Sequence, residues 1–362
     1  MRSLSPEELQ SFVKDGYVVL RDIVPRSTVE SARRTFYKSI ETSLTESQRL
    51  LSSLVQDSDN GTRKAKLKEH ATLASSWLRL GRHPDYRSLV SEDADVRKVV
   101  EQAMGEPVYG FQFAQVAARF PTEPSEYVTE SGYRDKDIPF YGWHGHLDGL
   151  WNGSQSPHQD LTRSMSKEEW EQWNQEKGRN GVQRTYPGTG ANMTNFTALL
   201  GIPLSDQSKE GTGNLGLLKG AHHPISRFFR YQRSQGGPLG PDGPGWQRLH
   251  REAPNGSGLR HYPEQVREQF EDEAEYTSDG RMWPKPTLIK LSLGDAILVL
   301  HAVPHSASRC EGNEPRIMAY YRLTSPDRPD NARASYIEGL CDCWHEWRGI
   351  RDSVNEILAT SS

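Results

Sequence analysis

Residues 287–323 read TLIKLSLGDAILVLHAVPHSASRCEGNEPRIMAYYRL. Three strand candidates lie inside this stretch: Thr287–Leu293, Ala296–Leu300 and Ile317–Leu323. Each is a short apolar run, and the tight turn Ser292-Leu293-Gly294-Asp295 separates the first two. Working outward, Leu215–Leu218 and Asn195–Leu204 read as further short strands, as does the low-charge run VYGFQFAQVAARF over 108–120. A Gly-Ala-His-His turn is expected after Leu218. The strands are bounded by turns and no regular helices separate them. This argues against a doubly wound sheet and for an antiparallel barrel or sandwich.

The first hundred residues are different in character. Ser5-Pro6-Glu7-Glu8 opens a helix with a capping serine, a first-turn proline and a glutamate that completes a capping box; it ends at Asp15-Gly16. Tyr17–Leu20 reads as a strand. Pro25 to about Glu46 reads as a second helix, with Val29, Ala32, Phe36, Ile40 and Leu44 on one face. Residues 47–105 read as mostly helical, and these helices are expected to pack outside the sheets. The organisation predicted is one domain over 1–362: helices over about 1–105, a core over about 106–325, insertions at about 127–190 and 231–286, and a C-terminal extension over about 326–362. Within the insertions, Ser166–Lys177 and the segment HYPEQVREQFEDEAE from His261 read as helical.

Composition limits the class of function. The chain has 362 residues, 44 Lys plus Arg against 48 Asp plus Glu, and a formal charge of −4, which is unlike a dedicated nucleic-acid binder. No stretch approaches the length of an apolar membrane span. The opening MRSLSPEELQSF lacks a signal-peptide core, and three cysteines cannot build a disulfide scaffold. A cytoplasmic setting is therefore expected. Both common Gly-rich nucleotide motifs are absent.

The sharpest chemical feature is His146-Leu147-Asp148, within YGWHGHLDG at 141–149. On an extended strand, residues i and i+2 share a face, so an imidazole and a carboxylate can take neighbouring positions on one metal. A second histidine from a distant strand would complete a two-His, one-carboxylate face, the arrangement of non-haem Fe(II) oxygenases. His305 is the best distant candidate. Arg316, eleven residues later, opens an apolar strand where a guanidinium should need an anion. An H-x-D triplet alone is common, the histidines can be hydrogen-bonded core residues, and Arg316 can pair with Glu314 or Asp295. Zinc is the competing metal, although no H-E-x-x-H is present. Gln112 and Gln115 lie on opposite faces of their strand, so only one can face inward, and Gln115 is the candidate. Cys341, Cys343 and His345 form a weaker metal candidate, and a packed C-terminal helix is the plainer expectation.

The chain resembles the phytanoyl-CoA dioxygenase family of Fe(II)/2-oxoglutarate-dependent oxygenases. FVKDGYVVLRDIVP (12–25) is similar to that family's opening. NLGLLKGAH (214–222) resembles its NG-L-PGSH segment, and 294–316 resembles its GD…H…H…R signature. The resemblance spans roughly residues 5–325. It implies an α+β fold with a double-stranded β-helix (jelly-roll, cupin-like) core and N-terminal helices packed outside. It places the metal ligands on His146, Asp148 and His305 and the 2-oxoglutarate anchor on Arg316. The family's serine after the distal histidine falls on Ala307, flanked by Ser306 and Ser308, with Ser306 the candidate co-substrate contact. His222 takes a place that looks structural. Asp148 is retained where the family's halogenases have a small residue, which favours hydroxylation. The implied cofactor set is Fe(II), 2-oxoglutarate and O₂. The implied partner is a small molecule such as a natural product of secondary metabolism, an amino-acid derivative or an acyl compound. The alternatives are a non-oxygenase cupin-like metalloenzyme and a non-catalytic binding protein on the same fold.

Overall fold

The computed structural model describes residues 2–52, 80–122, 124, 139–143, 145–148, 196–236, 244–245, 262–278, 280, 282–328 and 338–360. Helix α1 (Pro6–Asp15) starts where the capping box places it: the Glu8 amide donates to Ser5 Oγ at 3.1 Å, and the Ser5 amide donates to the Glu8 carboxylate at 2.9 Å. It stops at Gly16, whose φ of 80° suits only glycine. Then come β1 (Tyr17–Leu20), α2 (Arg26–Ser52), α3 (Pro84–Ser88) and α4 (Asp95–Met104). The strands β2 (Gln115–Arg119), β3 (Ala198–Pro203) and β4 (Leu215–Leu217) lead to α5 (His222–Ser234) and the short α6 (Glu264–Arg267). A small hairpin, β5 (Glu275–Tyr276) and β6 (Met282–Trp283), precedes β7 (Thr287–Leu288), β8 (Ala296–Leu300), β9 (His305–Ala307) and β10 (Arg316–Leu323). Helices α7 (Glu338–Cys341) and α8 (Arg351–Thr360) close the described chain.

The pairings define a jelly roll. The large sheet runs β1-β8-β3-β10-β2, the small sheet runs β7-β4-β9, and the strand pairs in both are antiparallel. A two-way bridge between His146 and His305 adds a fourth strip to the small sheet beside β9. From β2 onward the chain alternates between the sheets, except where β4 pairs directly with β7. The nested partners are β2 with β10, the His146 segment with β9, β3 with β8, and β4 with β7. That nesting is the double-stranded β-helix.

Alternation along β10 separates the two jobs of the large sheet. Ile317, Ala319, Tyr321 and Leu323 are buried, and the Tyr321 hydroxyl donates to the Tyr86 carbonyl of α3. Phe12, Val29, Phe36, Tyr86, Val96 and Met104 of the helices join Val18, Leu298 and Tyr321 in one apolar cluster. The helices thus cover the outer face, as expected. β8 is buried at every position because β1 and β3 flank it and both its faces are covered. Asp295 ties its start to the end of β1, accepting from the Ser292 amide at 2.8 Å, the Asp22 amide at 3.0 Å and Arg21 at 2.7 Å.

Four local expectations change. The run over 108–120 is strand only from Gln115, because Gly110 (φ 112°) interrupts it; Tyr109 keeps one bridge to Thr324. The strand expected over Thr287–Leu293 pairs regularly only at its start. The Asn214 side chain takes the Ile289 and Gln207 carbonyls at 3.1 and 2.9 Å, ending the ladder. The Gly-Ala-His-His segment begins α5, with His222 as its first residue and Pro224 in the first turn, where no donor is needed. The acidic helix after Pro263 shortens to α6 and a 3₁₀ turn over Glu268–Glu273, where like charges three and four residues apart oppose an α-helix. The segment expected as a helix at 166–177 lies outside the described residues.

The C-terminal part is bolted on. Phe12 meets the rings of Trp344 and Trp347 edge-on, with centroids 5.1 and 4.9 Å apart. Buried Arg328 forms a bidentate pair with buried Glu346 at 2.6 and 3.0 Å, and Thr197 donates to the same carboxylate at 2.9 Å. Removing one partner strands a buried charge. Arg328→Met should therefore cost about 3–5 kcal/mol in urea unfolding. A loss below about 1 kcal/mol would show that the pair is not a structural tie.

His222 gives a pH signature. Its Nε2–H donates to the Val13 carbonyl at 3.0 Å, and burial, helped by His223, lowers its pKa to about 3. The unfolded imidazole, near 6.5, takes up a proton first as pH falls. Stability from this group is thus full above pH 6.5 and is lost on acidification towards pH 3. Between pH 7 and pH 5 the loss should be about 2 kcal/mol. In a His222→Gln variant the corresponding unfolding difference should shrink by that amount. An unchanged difference would refute the assignment.

Candidate metal centre and cavity

A left-handed turn delivers the His146 segment to the small sheet. Phe140, Tyr141 and Gly142 have φ of 51°, 55° and 66°, and the Arg309 amide pins the turn by donating to the Tyr141 carbonyl at 2.7 Å. Two consecutive non-glycine residues in this region are costly and need such support. Trp143 is then buried against Gly145 and Gly216, where an added Cβ would sit 2.4 and 2.3 Å from its ring. Trp143 is a packing residue. Beyond it, the His146 amide donates to the His305 carbonyl at 3.1 Å, and the His305 amide donates to the His146 carbonyl at 2.9 Å.

That bridge gathers the expected ligands. His146, Asp148 and His305 each offer a ligand atom, all within 4.8 Å of one another. His146 Nε2 lies 3.5 Å from one Asp148 oxygen, and His305 Nε2 lies 3.8 Å from the other. The imidazole centroids are 4.9 Å apart. The His305 Nδ1–H donates to the Val303 carbonyl at 3.1 Å, which orients the ring with Nε2 toward Asp148. Burial alone would raise the Asp148 pKa. The two imidazoles and the Arg322 guanidinium outweigh it and hold the carboxyl well below the ordinary carboxylate range. Two imidazole nitrogens and one ionised carboxylate suit a divalent first-row metal. Among the described residues no other group of three such side chains converges, Cys341, Cys343 and His345 included. His144 and Trp151 lie outside the described residues.

His301 is a hydrogen-bonded core residue, one of the plainer readings of the histidines in the sequence. Burial lowers its pKa to about 4, so the ring is neutral, and its Nε2–H donates to the Asp148 carbonyl at 2.8 Å. It braces the backbone that carries the carboxylate.

A cavity of about 240 Å³ opens between the sheets beside this cluster. Its walls include Gln115, Ala117 and Arg119 of β2, Leu199, Leu215, Ser306, and Arg316, Tyr320 and Arg322 of β10. Gln115 is thus the inward-facing glutamine, and Gln112 lines a separate surface groove. Gln115 Oε1 accepts from Arg322. The Ser306 hydroxyl donates only weakly, to the Ala307 carbonyl at 3.3 Å, whereas buried Ser308 is committed to the Asn214 carbonyl at 3.0 Å.

Arg316 is 2% exposed. Neither acid named from sequence pairs with it: Glu314 holds Arg33 at 3.0 Å and Asp295 holds Arg21 at 2.7 Å. Its guanidinium donates to the Tyr320 hydroxyl, its buried Nε has no partner, and no carboxylate among the described residues reaches it. Burial lowers its pKa, and Arg119, directly opposite on β2, pushes the same way. Arginine nonetheless stays charged. A buried, acid-free guanidinium facing a cavity fits an anion. Tyr320, Arg322 and Arg119 were missed from sequence. Period-two alternation from Arg316 would have found the first two.

No family model and no curated protein matches the sequence. Several solved structures are similar. HygX from Streptomyces hygroscopicus, with nickel and 2-oxoglutarate bound, is 15% identical over 90% of this chain and 88% of its own, with a TM-score of 0.38. SnoK, a non-heme alpha ketoglutarate dependent carbocyclase from nogalamycin biosynthesis, is 11% identical over 88% and 83%, with a TM-score of 0.41. AviO1 from Streptomyces viridochromogenes is 11% identical over 91% and 99%, with a TM-score of 0.35. Likeness at these scores carries no argument about this chain, whose fold rests on its own topology and whose chemistry rests on its own residues.

The unpaired guanidinium should be a burden on the ligand-free protein. Arg316→Met is expected to match or exceed wild-type stability, by up to about 2 kcal/mol, in urea unfolding. A loss larger than about 2 kcal/mol would show instead that the guanidinium is a structural tie.

Proposed function

We propose that the protein is an Fe(II)/2-oxoglutarate-dependent oxygenase of the phytanoyl-CoA dioxygenase family that hydroxylates a C–H bond of a small organic substrate. The observation that carries this reading is one cavity with a two-His, one-carboxylate cluster on one wall and a buried, acid-free arginine on another. His146, Asp148 and His305, which line the cavity wall together, would hold the metal. Arg316 takes the far carboxylate of 2-oxoglutarate as a charge-assisted pair, with the Tyr320 hydroxyl fixing the guanidinium's orientation. Gln115 and Ser306 line the space between these two anchors. Iron held there, together with 2-oxoglutarate and O₂, would supply the oxidation, with one oxygen atom going to the substrate C–H bond and the other to succinate as CO₂ leaves.

The rest of the machinery is positioning. The Val303 carbonyl fixes the His305 tautomer, and His301 fixes the Asp148 backbone. Leu199 and Leu215 give the cavity apolar wall and limit water near the reacting carbon.

Anaerobic titration of the metal-free protein with Fe(II) and 2-oxoglutarate tests this. A visible metal-to-ligand charge-transfer band should require both components. Asp148→Ala should weaken iron binding by about tenfold or more. Arg316→Met should weaken 2-oxoglutarate by a similar factor while iron still binds. Folded protein that binds 2-oxoglutarate equally well without iron, or gives no band, would overturn the proposal.

A further inference from the structure

The cavity walls carry more positive charge than the proposed metal and co-substrate need. Asp148 is the sole carboxylate among the described lining residues, against the guanidiniums of Arg119, Arg316 and Arg322. Consider only the two on β10. With a divalent metal they face one Asp148 carboxylate and one dicarboxylate co-substrate. The loaded site then keeps one positive charge in excess, before Arg119 is counted.

The two arginines also sit differently. Arg316 is buried at the inner end, whereas the Arg322 side chain is 43% exposed and reaches the metal cluster, with Nη2 2.9 Å from an Asp148 oxygen. The register places Arg316 opposite Arg119 and Tyr320 opposite Gln115, so Arg322 lies beyond the Gln115 row, at the opposite end of the strand. Gln115 holds one arm of Arg322, and the Phe196 ring lies 5.5 Å beneath its guanidinium carbon. The group is therefore held in place while its outer edge stays open to solvent. A fixed, half-exposed cation beside the metal face is placed to meet an entering molecule, not the co-substrate's far end.

Resting on the oxygenase reading, we propose that Arg322 is a specificity-determining residue that receives a carboxylate of the primary substrate. The acid group docks on the outer edge of Arg322, and the C–H bond to be oxidised lies within a few bonds of that carboxylate, beside the open side of the metal. Neutral isosteres lack the charge that offsets the excess, and offer the open edge of Arg322 only an uncharged acceptor.

The test uses acid and amide pairs as probes: hexanoate with hexanamide, and 3-phenylpropanoate with 3-phenylpropanamide. Each is titrated calorimetrically into the anaerobic protein with Fe(II) and saturating 2-oxoglutarate, so that Arg316 is already occupied. The acid of at least one pair should bind about tenfold or more tighter than its amide. Arg322→Gln should bring that ratio to about one, and Arg322→Lys, which keeps the charge, should retain most of it. The ratio within each variant cancels any change in metal or co-substrate loading. A wild-type ratio near one, no saturable acid binding, or a preference that survives in Arg322→Gln overturns the proposal. If the protein fails to bind 2-oxoglutarate, the oxygenase reading fails by itself. An acid preference that still disappears in Arg322→Gln then upholds the anion subsite independently.

Discussion

Two hydrogen bonds exchanged by the backbones of His146 and His305 are the constraint on which the site depends. They close the small sheet with a single bridge and bring together segments that are remote in sequence. Because side chains alternate along extended chain, the same bridge decides which face His146, Asp148 and His305 present. A slip of one residue in the His146 segment would turn His146 and Asp148 away from the cavity. The neighbouring structure guards the register. The left-handed turn at 140–142 is held by Arg309, and Trp143 fits only because positions 145 and 216 are glycine. On the other side, β4 holds β9 in place through the pairing of Leu217 with His305. The conformational cost of the turn is thus spent on placing three side chains.

Features set by local chemistry were legible in the sequence. The capping box at Ser5 and Glu8, the Gly16 stop, β1, β8 and β10 each follow from a few adjacent residues. The candidate ligands and Arg316 were legible because their chemistry and spacing are unusual together. Features that depend on a distant partner were not. Asn214 ends the β7 ladder with a side-chain amide, and no pattern within 287–293 shows it. His301 looks like its neighbours in an apolar run until the Asp148 carbonyl is placed against it. Along β10, alternation separates Tyr320 from Tyr321, but the sequence does not say which faces the helices. The Tyr86 carbonyl decides that in favour of Tyr321.

The structure buries two arginines in opposite ways. Arg328 meets Glu346 with both arms, and Thr197 satisfies the carboxylate further. Its desolvation is offset within the fold, and the pair joins the C-terminal part to the end of the large sheet. Arg316 undergoes comparable burial, faces Arg119 across the strand pair, and has only a tyrosine hydroxyl in return. Glu314 and Asp295 are engaged elsewhere, so no acid among the described residues compensates this cation. Stability gives no reason for such a choice at the buried start of β10. An apolar residue would pack there at lower cost.

Arg316 and Arg322 lie on the same face of β10, and the metal cluster faces the end where Arg322 sits. One strand thereby sets a polar axis along the cavity: a buried cation, a hydroxyl, then a half-exposed cation against a carboxylate. A flexible anion entering from the solvent side meets Arg322 first. A dicarboxylate that reaches past it gains the stronger, drier interaction with Arg316. On the proposed reading, two anions of different length are sorted by depth along one strand, beside the same cluster of His146, Asp148 and His305.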